Sequence, residues 1–151
     1  MRLNAAFAMA TLVGLMAICP TASRAQVAGP AAKGGCVSVA ASPTMLTATG
    51  TLSQVVFPGP PNYESVARGD RPEPTFVLRL PAPVCLDDGG FFADPTKRFD
   101  LVQISPKDPG VAKRLKAALG KSVTVAGEGI AAQTAHHHEP LVIFATSASD
   151  H

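Results

Sequence analysis

The chain has 151 residues, with 13 Lys and Arg, 11 Asp and Glu, one Tyr and no Trp. That length suits one domain with a small core. The near balance of charge and the lack of stacking aromatics exclude the usual nucleic-acid surface, and nothing favours an anionic membrane.

Residues 1–25 read as a secretory signal peptide. Arg2 supplies the positive start, Ala5 to Ile18 is apolar, Pro20 breaks the run, and Ser23-Arg24-Ala25 places small residues before a cut at Gln26. The apolar run is short for a membrane span and no stop-transfer pattern follows it. Bulky Ile18 before Cys19 argues against lipoprotein processing. Cleavage removes Arg2 and Arg24 but no acid, so the mature net charge is near zero and no transmembrane segment is left. The expected location is periplasmic or secreted. Cleavage also removes Cys19 and leaves Cys36 and Cys85. An even pair in an oxidising compartment reads as one disulfide. It closes a loop of about 50 residues, a constraint of ~4 kcal/mol by chain entropy.

Residues 26–35, rich in Gly and Ala, read as a flexible leader, and residues 36–147 as a single domain with a polar tail at 148–151. A first strand is predicted from Met45 to Phe57, where apolar and Thr/Ser positions alternate. Gly50 within it suggests a bulge or bend. The segment 57–74 holds Pro58, Pro60, Pro61, Pro72 and Pro74 and reads as a long loop. Loops of that length in small domains are usually functional or disordered. Thr75 to Leu80 is a second strand, Asp87-Asp88-Gly89-Gly90 a turn, and Phe99 to Ser105 a third strand whose inward face is ambiguous. A helix follows from Pro109 to Leu119. Asp108 caps it, Val111, Leu115 and Leu119 form its apolar stripe with Ala118 beside it, Lys113, Arg114 and Lys116 its wet face, and Gly120 ends it. Lys121 to Ala126 is a fourth strand with a bend at Gly127 and Gly129. The His136-His137-His138 turn and a fifth strand from Leu141 to Thr146 complete the chain.

Short strands with glycine bends and one helix between the third and fourth predict a mainly β domain. The expected form is an OB-fold-like five-stranded Greek-key barrel, with an open α+β sheet as the other arrangement. Three stretches also carry a resemblance: Phe57-Pro58-Gly59-Pro60-Pro61-Asn62-Tyr63-Glu64-Ser65, then Gly120-Lys121-x-Val123-x-Val125-x-Gly127, then His136-His137-His138-x-Pro140. Together they resemble the DUF4431 family of small secreted or lipid-anchored bacterial domains of unknown function, over about Met45 to Thr146. The resemblance brings no activity. It implies that both unusual loops are family features.

In an OB-fold, the loops between strands 1–2 and 4–5 border the ligand surface. The Pro-rich loop and the histidine turn fall at those two places. Tyr63 and Glu64 on the first, and His136, His137 and His138 on the second, are therefore the expected ligand-binding residues. In an extended turn His136 and His138 point one way and His137 the other. Those two could ligate a divalent metal such as zinc, supported by Glu139, but a third ligand such as Glu64 or Asp70 would be required. There is no nucleophile elbow, zincin motif, paired-cysteine site or calcium loop. The expectation is an exported, non-enzymatic binding module without a cofactor, for a protein or cell-envelope ligand, an inhibitor-like plug being one form of it. A metal-binding protein or small metal-dependent hydrolase is the alternative.

Overall fold

The computed structural model describes residues 27–30 and 35–151. The predicted signal peptide, its cleavage site and much of the leader lie outside the described residues. About half of those described are in strands: β1 Val37–Ser38, β2 Met45–Pro58, β3 Pro72–Val84, β4 Leu86–Asp87, β5 Phe99–Pro106, β6 Ser122–Ala131 and β7 Leu141–Asp150. Among the described residues one helix, α1, spans Pro109–Ala117, and a single 3-10 turn covers Val66–Arg68. Among the described residues no helix is long and apolar enough to cross a membrane.

The five long strands pair in the cyclic order β2-β3-β5-β7-β6, and β6 returns to β2, which closes the sheet. All pairs are antiparallel except β5 with β7. Alternation along β2 and β6 sends Leu46, Ala48, Leu52, Val123 and Val125 inward, all nearly inaccessible. On β5 the inward pair is Val102 and Ile104, which settles the ambiguous face. Glycine permits two close approaches. A Cβ at Gly50 would sit 2.2 Å from the Arg79 carbonyl oxygen, and one at Gly127 would sit 2.1 Å from that of Phe144. At Gly127 the β6–β7 register also shifts, so the predicted bend there is a bulge.

Helix α1 packs on β7 and β5 through Val111 and Leu115, both fully buried. The Asp108 carboxylate accepts the Val111 amide at 2.9 Å, and Pro109 begins the first turn, as a capped start requires. The predicted stripe is wrong at its end. The helix stops at Ala117, Ala118 is the buried residue there, and Leu119 is exposed. The helix has already ended by Ala118, so Leu119 falls in the turn that Gly120, at φ +80°, completes.

Both strands flanking the Pro-rich loop are longer than predicted. β2 runs to Pro58 and β3 begins at Pro72, so only residues 59–71 form the loop. Prolines fit in β3 because its other edge is unpaired before Phe76, and no ladder amide is needed there. Pro81 and Pro83 fall in the gap of the β3–β5 ladder between Arg79 and Val84. The tail is also corrected. β7 continues through Ser149 and Asp150, which pair with Thr124 and Val123, because β6 still offers ladder partners there.

Cys36 and Cys85 form a disulfide, their Cα atoms 4.6 Å apart. It sits beside a parallel pairing of β1 with β4, Val37 opposite Leu86, that the sequence did not announce. Ala28, in the predicted leader, exchanges two backbone hydrogen bonds with Thr47, so that part of the leader lies along β2.

Candidate functional site

Residues Val55 to Pro58 of β2 and Pro72 to Thr75 of β3 extend beyond the β5 ladder as a two-stranded ribbon in which Phe57 stands opposite Glu73. Residues directly opposite in such a pair present their side chains on one face. Gly59 leaves room for the Glu73 side chain, since a Cβ there would lie 2.6 Å from Glu73 Cγ. Phe57 and Glu73 thus make a platform, and the histidine turn rests on it.

Gln103 fixes the turn from below. It is a buried polar residue of β5. Its Nε2 donates to the His136 carbonyl at 3.0 Å and its Oε1 accepts the His138 amide at 2.7 Å. A buried amide that satisfies two backbone groups positions a loop more firmly than exposed contacts do.

Glu73 receives both flanking imidazoles. His136 Nδ1 lies 2.7 Å from Oε1, and His138 Nε2 lies 3.0 Å from Oε2. Burial pushes the Glu73 carboxyl up, but hydrogen bonds from His138 and His136 and attraction to both rings outweigh it, and its pKa lies below the ordinary value. With Glu73 ionised, each nitrogen facing it carries a proton. The two histidines are not equivalent. The His138 side chain is 10% exposed, against 58% for His136.

Tyr63 completes the row from the Pro-rich loop. Its hydroxyl is 3.0 Å from His136 Nε2, with the rings edge to face. When His136 is neutral, its Nε2 is the acceptor and Tyr63 donates. Tyr63 adopts φ +60°, a left-handed conformation uncommon for an aromatic residue. The loop imposes that conformation. Asp70, buried, accepts the amides of Asn62, Glu64 and Ser65 at 2.8–2.9 Å, while the Tyr63 amide donates to the Gly59 carbonyl. Those amides, Ser65 first and then Asn62 and Glu64, hold the Asp70 carboxyl below its usual range.

The remaining predicted residues lie apart from this row. Glu64 pairs with Arg68 at 3.2 Å on the surface and makes no hydrogen bond to a histidine. His137 accepts the Gln133 amide on Nδ1 at 3.0 Å and meets the edge of Phe144. Burial, then the neighbouring His136 and His138, lower its pKa, so it is a neutral ring that shapes the turn. Glu139 is pushed up by burial, with His138 pulling the other way, and does not join the cluster. Neither Glu64 nor Asp70 supplies a third ligand beside His136 and His138. Among the described residues no group of three or more His, Cys, Asp or Glu side chains is arranged to hold a metal ion.

Sequence reasoning overlooked Phe57, Glu73 and Gln103. Gln103 carried a usable signal, a polar residue inside the apolar run Leu101-Val102-Gln103-Ile104. Glu73, between two prolines, was hidden by reading its segment as loop.

Residues 101–148 match DUF4431, a domain of unknown function. The matched segment runs from β5 through α1 and β6 into β7, so it carries Gln103 and the histidine turn. Tyr63, Glu73 and the rest of the Pro-rich segment lie outside it. No curated protein and no solved structure matches the chain.

Proposed function

We propose that this chain is an exported, non-enzymatic binding module, and that it engages a protein or cell-envelope ligand with the face where the Pro-rich loop meets the histidine turn. The observation that carries the reading is the contact between Tyr63 and His136, residues from the two compositionally odd loops, 3.0 Å apart. A row of rigidly held polar and aromatic groups on the surface suits recognition, because little ordering entropy remains to be lost on binding. The strand order, with β2 between β3 and β6 and β5 parallel to β7, supports the OB-fold-like reading, whose ligand surface borders these loops. The leader-like N-terminus and the Cys36–Cys85 bond support export.

The test is capture from a solubilised envelope fraction by immobilised protein, wild type against Tyr63→Ser and His136→Ala. A component retained by wild type, lost by both variants, and protecting the amides of residues 59–71 and 134–139 from exchange supports the module. Equal capture by all three defeats it. Metal at one per chain in natively purified protein, lost in the His136→Ala, His138→Ala double variant, would favour the metal-dependent alternative instead.

A further inference from the structure

A second surface feature is unrelated to the histidine row. The turn after β4 carries Phe91 and Phe92, 80% and 63% exposed. Two adjacent bare phenylalanines on a loose loop would be unremarkable. This turn is held: the buried Asp88 carboxylate accepts the amides of Gly90, Phe91, Phe92 and Ala93 at 2.6–3.1 Å. The exposure of Phe92 is therefore fixed by the fold.

Phe92 forms one wall of a pocket of about 290 Å³, whose apolar lining includes Leu86, Phe99 and Pro140. At roughly 30 Å³ for each water-sized group, that space takes a ligand of about ten heavy atoms. Lys97 and Arg98 also line it. Among the described residues Arg98 joins no ion pair, and its Nη1 only brushes the Pro83 carbonyl at 3.4 Å. Lys97 reaches Asp94 at 3.9 Å with its side chain 82% exposed. The other Asp94 oxygen is turned back onto the Thr96 amide and hydroxyl. The lining thus combines an apolar wall with two weakly engaged cations and one carboxylate, Asp94, whose oxygens are taken up by Thr96 and Lys97.

We propose that this pocket binds a small apolar carboxylate, its chain against Phe92 and Phe99 and its carboxylate on Arg98 and Lys97. An apolar pocket with a few convergent polar groups is the usual form of a small-ligand site. Arginine pairs with carboxylates in bidentate fashion, which fixes the ligand's head. A lipid surface would also accept two exposed phenylalanines. The site favours a discrete ligand because it is concave, a walled pocket of about 290 Å³ and not a flat patch.

The test is an NMR titration of isotope-labelled protein with octanoate and with octan-1-ol, which keeps the chain and drops the charge. Octanoate should give saturable shifts at Leu86, Phe92 and residues 97–99, and octan-1-ol should bind about tenfold more weakly. Arg98→Gln should weaken octanoate about tenfold and leave octan-1-ol unchanged, while Arg98→Lys, which keeps the charge but not the bidentate fork, should fall between Arg98→Gln and wild type. Lys97→Gln serves if Arg98→Gln fails to fold. Equal affinity for octanoate and octan-1-ol, octanoate shifts outside the pocket, or an Arg98→Gln protein that binds octanoate like wild type would each overturn the proposal. So would binding to phosphatidylglycerol vesicles with none to octanoate.

Discussion

Phe57 lies flat against the His138 imidazole, their ring centroids 4.2 Å apart and their planes 5° from parallel. His138 is thereby part of the packed structure as well as of the site. His138→Ala should cost about 1–3 kcal/mol, from a lost ring stack and a lost hydrogen bond to a carboxylate. His136→Ala, at the exposed end of the row, should stay within about 0.5 kcal/mol. Urea unfolding of the two variants distinguishes them, and equal costs would mean that the Phe57 stack contributes nothing.

Gln103 makes a sharper test of how the turn is held. Gln103→Leu keeps the size of the side chain and removes both of its bonds to the turn. The His138 amide is left without its acceptor, a penalty of about 1–3 kcal/mol. Hydrogen exchange at that amide should rise by more than exchange at Ile104, which stays in the β5–β7 ladder. If the two respond alike, the clasp on the turn is not specific.

The barrel-forming strands were legible because their signals are local. Alternation marked β2 and β6, Asp108-Pro109 marked the start of α1, and Gly127 marked a bend. The Cys36–Cys85 bond was legible from the even cysteine count left after the expected cleavage. Pro72 and Pro74 misled, since proline was taken to end a strand. On an unpaired edge it does not, and pairing of that edge is a non-local property. The same error concealed Glu73, whose role depends on standing opposite Phe57 across a ribbon. Tyr63 and His136 were both visible as unusual residues. Their contact depends on the turn at Asp70 and the clasp at Gln103, neither of which has a short sequence signature.

The end of the helix gives a third test. Leu115 is fully buried beneath β7 and β5, so Leu115→Ala should lower stability by about 2–5 kcal/mol. Leu119 shares its period but lies beyond the last turn, and Leu119→Ala should stay within about 0.5 kcal/mol, as should Lys116→Ala on the wet face. A large loss at Leu119 would show that the helix continues past Ala117 in solution.

Asp88 links acid stability to the aromatic turn. Burial raises its pKa, but the amides of Phe92, Phe91, Ala93 and Gly90 more than offset that and bring it below 3.8. A carboxylate depressed in the fold stabilises it fully above the unfolded pKa, and the effect is lost as pH falls through the folded value. Asp88→Asn keeps the shape but not the charge, so at neutral pH it should cost about 1–3 kcal/mol. Asp70, Glu73, Asp94 and Asp150 are lowered as well and give any variant some acid sensitivity. The informative quantity is therefore the difference between wild type and Asp88→Asn. It should be largest near pH 7 and shrink as pH falls through the depressed folded pKa, where the wild-type carboxyl becomes protonated in the fold as well. Urea unfolding of both proteins at several pH values measures it. A gap that stays constant with pH would show that the cost comes from the acceptor oxygen that Asn lacks and not from the charge of Asp88.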